Sequence, residues 1–110
     1  DTCMGFVAIA EEDKTIGETI NIGSNFEISI ADTLNIIKEL MNSDVKFIAD
    51  HQRIRPEKSE VFRLWCDNTK IEKLTGFKPQ FDIKEGLKRT IDWITRPENL
   101  KSYKAEIYNV

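Results

Sequence analysis

Two stretches of this chain repeat apolar residues at helical spacing, and they constrain the fold more than any other feature. Ile30, Leu34, Ile37 and then Leu40 or Met41 form one stripe; Ile83, Leu87, Ile91 and Ile94 form the other, with Trp93 beside it. Each stripe must bury one face of an amphipathic helix against something else. The spacing predicts a helix over 30–41, with Ser29 as N-cap, Asp32 in the favourably positive first turn, and Asn42-Ser43 as its end. Asp82 is placed to cap the second long helix, and Pro97 to stop it. Gly86 lies inside that helix at a cost of about 1 kcal/mol relative to Ala, which a close helix approach or simple tolerance would explain.

Shorter elements lie between and before these helices. Asp67 is expected to cap a helix over 68–74, with Gly76 as its left-handed C′ residue and Pro79 preventing continuation. Residues 3–10 are apolar and read best as a helix entering from an upstream region. Residues 18–22 alternate polar and apolar, as a half-buried strand does. Gly23-Ser24-Asn25 is turn chemistry, and 26–28, 45–49 and 61–65 are further short strand candidates. The expected fold class is α/β: a small mixed domain with short strands and about three helices. Residues 1–96 form the domain and 97–110 a polar tail.

The chain has 110 residues, room for one domain. Hydrophobic content of 40% and charged content of 32% are those of a soluble globular protein. A net charge of −3 argues against a general nucleic-acid or anionic-membrane surface. No apolar run approaches the roughly 20 residues of a membrane span. The opening Asp1-Thr2-Cys3 carries no signal peptide and no initiator Met, so the expectation is a fragment. Cys3 and Cys66 have no metal or redox spacing and read as reduced thiols of a cytoplasmic protein.

Charge is distributed unevenly. Residues 51–63 carry Arg53, Arg55, Lys58 and Arg63 against Glu57 and Glu60, a local +2 in an acidic chain. Arginines gathered against the overall charge suit an anion, because the guanidinium fork matches phosphate oxygens. A solvated loop of paired charges is the plainer alternative. A single-stranded nucleic-acid site using this loop with Phe62 and Trp65 is a third, and the acidic net charge counts against it.

Self-contained catalytic chemistry is missing from the sequence. The glycines, at 5, 17, 23, 76 and 86, make neither GxGxxG nor a Walker loop. His51 is the single histidine and cannot form a His-rich metal site. Tyr103 and Tyr108 have no Lys four residues on. Trp65 and Trp93 are expected to pack, with stacking on a base as the alternative.

Taken in order, Asn21-Ile22-Gly23-Ser24, the helix opened by Ser29, Arg55-Pro56, Ser59-Glu60-Val61, Asp67-Asn68-Thr69-Lys70, Leu74-Thr75-Gly76-Phe77-Lys78-Pro79, Glu85-Gly86-Leu87 and Thr90-Ile91-Asp92-Trp93 form a pattern. It resembles the C-terminal substrate domain of extended short-chain dehydrogenases, the NAD-dependent nucleotide-sugar epimerase/dehydratase family. Within that family it looks most like the 4,6-dehydratases. The resemblance covers residues 1–96 and implies that an N-terminal Rossmann domain, absent here, carries NAD and the catalytic Tyr-Lys pair. It implies that Arg55, before Pro56, contacts the substrate diphosphate, with Arg53 as second contact. Glu60, before Val61, would accept from a ribose hydroxyl, or alternatively hold Arg53, Arg55 or Arg63 in place. Glu57-Lys58-Ser59 makes this loop longer than the shortest in the family. The implied partners are a nucleotide-diphosphate sugar and the Rossmann domain, in a full-length homodimer. A stand-alone anion- or nucleotide-binding module without catalysis is the alternative to this reading.

Overall fold

The computed structural model describes residues 1–48, 61 and 63–103. Among them are five α-helices: α1 (Thr2–Ala10), α2 (Ile30–Leu40), α3 (Thr69–Thr75), α4 (Ile83–Ile94) and α5 (Pro97–Leu100), with a 3₁₀ turn over Asp13–Thr15. The described residues contain no strand, which corrects the α/β expectation. Residues 18–22, 26–28 and 45–48 join no ladder, nor do 61 and 63–65; residues 49 and 62 lie outside the described residues. Asn25, at φ 53°, breaks the extended run between the first two candidates. Alternation reports which side chains are half-buried, whereas a strand also needs a neighbouring backbone to accept its hydrogen bonds.

The chain divides into two compact units, residues 1–29 with 46–80, and residues 30–45 with 81–110. In the first unit, α1 packs on α3 and on the 3₁₀ turn. Ile71 of α3 is its fully buried apolar side chain, and Gly5, Thr15 and Asn68 are buried with it. A Cβ on Gly5 would stand 2.6 Å from Ile22 Cγ2, so the missing side chain lets α1 lie against residue 22. The Thr15 hydroxyl sits 2.7 Å from Ile9 O and 2.6 Å from Glu12 O, sharing its proton between carbonyls at the end of α1. Asp67 Oδ1 accepts from Thr69 N at 2.9 Å, the expected capping contact, though Asn68 occupies the N-cap position. Gly76 ends α3 at φ 73°, in the left-handed conformation its position called for.

In the second unit, α2 packs on α4, and α4 on α5. Leu34, Ile36, Ile37 and Leu40 of α2 are half-buried, while Ile30 and Met41, expected on the same stripe, are exposed. Asn42 takes φ 46° and donates to Glu39 O, and Ser43 N donates to Lys38 O. These two bonds form a Schellman ending, with Asn in the place glycine usually holds. Asp82 Oδ1 accepts from Glu85 N at 2.8 Å, so the expected cap of α4 is present. Ile83, Leu87, Ile91 and Ile94 form its half-buried stripe. A Cβ on Gly86 would meet open space, so tolerance explains that glycine and close helix approach does not. Pro97, expected only as a stop, opens α5, where its fixed φ suits the first helical position.

Candidate functional site

Arg53, Arg55 and Glu60 all lie outside the described residues. What is described is the chain that follows them, Val61 and residues 63–68, and the segment it is tied to, residues 18–27. Arg63 meets Glu27 fork to fork: Nε donates to Oε1 at 2.9 Å and Nη2 to Oε2 at 2.6 Å. The hydrogen bond to Arg63 holds the Glu27 carboxyl below its ordinary 4.5, with partial burial opposing and the guanidinium charge assisting. The same contact raises the Arg63 guanidinium above its usual range.

Further along, the buried Asn68 amide donates from Nδ2 to Gly23 O at 3.1 Å. Gly23 also faces Cys66 so closely that a Cβ there would lie 2.5 Å from Sγ and 2.6 Å from Cβ. Lys70 Nζ then reaches Glu18 Oε2 at 2.6 Å and Thr19 O at 2.9 Å. The hydrogen bond and charge of Lys70 hold Glu18 below its ordinary 4.5. The ties pair 27 with 63, 23 with 66 and 68, and 18–19 with 70. As one number falls the other rises, so the two segments run antiparallel, joined through side chains in place of a ladder.

Asp67, expected as a helix cap, accepts from Thr69 N at 2.9 Å. Hydrogen bonds from Thr69, hydroxyl first and backbone second, keep the Asp67 carboxyl below its ordinary 3.8. Trp65, expected to pack, is 59% exposed. Trp93 is half-exposed, with Tyr103 edge-on at 6.4 Å. Both cysteines are free, Cys3 exposed and Cys66 half-buried.

Sequence reasoning missed Glu27 and Asn68. Glu27 is the lone acid between apolar Phe26 and Ile28, which marks it as a side chain with a different task from its neighbours. Its partner lies 36 residues away, and spacing carries no signal at that range. No group of three metal-binding side chains occurs among the described residues, and no described helix is long and apolar enough to cross a membrane. A depression beside the C-terminal end of α2, lined by Asn35, Lys38, Glu39, Asn42, Ser43 and Asp44, is open and polar, unlike the apolar concavity of a small-molecule site.

The sequence profile of GDP-mannose 4,6 dehydratase matches residues 1–90. The chain is 32% identical to human dTDP-D-glucose 4,6-dehydratase over 94% of its own length and 29% of that protein's. It is 33% identical to the UDP-glucuronate 4-epimerase of Thermodesulfobacterium geofontis, over 84% of this chain and 27% of that one. With the UDP-N-acetyl-alpha-D-glucosaminuronate decarboxylase of Bacillus cytotoxicus it shares 34% identity, over 82% and 29%. The chain thus spans less than a third of the length of these relatives. No solved structure matches it significantly. Dehydratase, epimerase and decarboxylase names occur together among these relatives, and the chain belongs to the extended short-chain dehydrogenase family of nucleotide-sugar epimerases and dehydratases.

Proposed function

We propose that this chain is the substrate-binding part of an NAD-dependent nucleotide-sugar 4,6-dehydratase or epimerase, and that its task is to grip the nucleotide diphosphate. Arg55 and Arg53 contact the diphosphate and Glu60 the ribose hydroxyls. The match of residues 1–90 to the GDP-mannose 4,6 dehydratase profile carries the reading, and the engagement of Arg63 by Glu27 fits beside it. Arg63, the one cation of 51–63 among the described residues, has a carboxylate of its own from a distant segment. Glu60 is therefore not required to neutralise Arg63. Bidentate Arg contacts to phosphate are among the stronger charge-assisted hydrogen bonds, about 1.5–3 kcal/mol each.

The remaining length of a family-sized polypeptide is proposed to supply a Rossmann domain with NAD, whose chemistry is to take a hydride from the sugar and return it. This chain contributes orientation, holding the nucleotide so that the sugar points at groups elsewhere; such remote binding lowers the barrier by positioning. Met4, Phe6 and Val7, exposed on α1, belong to the surface that the rest of the polypeptide covers. The complete enzyme is proposed to be a cytoplasmic homodimer, and the 110-residue chain alone to have no turnover.

An NMR titration of the chain with UDP, dTDP and GDP tests the binding role. Saturable shifts at the Arg53 and Arg55 side chains and the Glu60 amide, lost in Arg55→Ala, are the expected result, and the preferred base narrows the substrate. Absence of saturable shifts with all three nucleotides rejects the reading. Turnover of a nucleotide sugar by the pure chain with NAD would reject the division of labour.

A further inference from the structure

We draw no further inference here: the strongest candidate, the exposed apolar surface patch of Met4, Phe6 and Val7 on α1, has its cover already proposed above as the rest of the polypeptide, and nothing in the structure shows any other occupant.

Discussion

At the scale of single residues, three glycines separate two effects that the sequence leaves entangled. Gly86 pays the helix-interior cost with nothing standing where a side chain would go. Gly86→Ala is therefore expected to stabilise the chain by up to about 1 kcal/mol, read as a rise in urea midpoint at constant slope. Gly5 lies in a helix too, and the same propensity gain is on offer. There the new methyl lands 2.6 Å from Ile22 Cγ2, on a β-branched side chain with little freedom to turn away. At Gly23 the obstacle is Cys66, at both Sγ and Cβ. Overpacking of this kind costs about 1–3 kcal/mol and outweighs propensity, so Gly5→Ala and Gly23→Ala should both lower the midpoint. A rise for Gly5→Ala would show that α1 can shift off residue 22.

At the scale of elements, the helices were legible because their signals are local. Asp82 announces α4 and binds Glu85 N; Gly76 announces the end of α3 and takes the left-handed conformation. Replacing Asp82 with Ala should cost about 1 kcal/mol, since one helix N–H loses its acceptor, and Asp82→Asn should restore most of it. The expected strands are absent from the described residues, for a physical reason. Residues 18–22 alternate as expected, but a strand is a relation between two segments, and Asn25 turns the chain before any ladder forms. What joins 18–27 to 63–70 is a set of side-chain ties between residues 36 to 52 positions apart, which no short-range pattern encodes. Of the candidate site, the sequence made the cationic stretch visible; the pairing of Arg63 with Glu27 needed the structure. Those ties also carry a pH signature. Glu18 and Glu27 are held below 4.5 when folded, so their contribution is fully present above that value and is lost as pH falls through the lower folded values. The urea midpoint should drop on acidification below 4.5, and a Glu18→Gln/Glu27→Gln variant should start lower and drop less. An acid profile unchanged by that double substitution would assign the loss to other carboxylates.

At the scale of the molecule, the apolar surface of the first unit is its least self-sufficient feature. Helix α1 is apolar around its circumference, yet Gly5 is its one buried residue, while Met4, Phe6 and Val7 are 54%, 61% and 44% exposed. A helix of that composition belongs in an interior. Among the described residues Ile71 is the fully buried apolar side chain. Contiguous exposure of this kind drives association. The isolated chain should therefore show a sedimentation coefficient that rises with concentration, and Phe6→Lys should hold it near the monomer value. In a family-length polypeptide the same substitution should act in the opposite sense. If the rest of that polypeptide covers α1, as proposed, the lysine is driven under that cover, and an unpaired buried charge is strongly unfavourable. The single change would then improve the behaviour of the short chain and lower the thermal midpoint of the long one. Improvement in both would mean that α1 stays exposed in the complete protein, and that this face has a partner outside its own polypeptide.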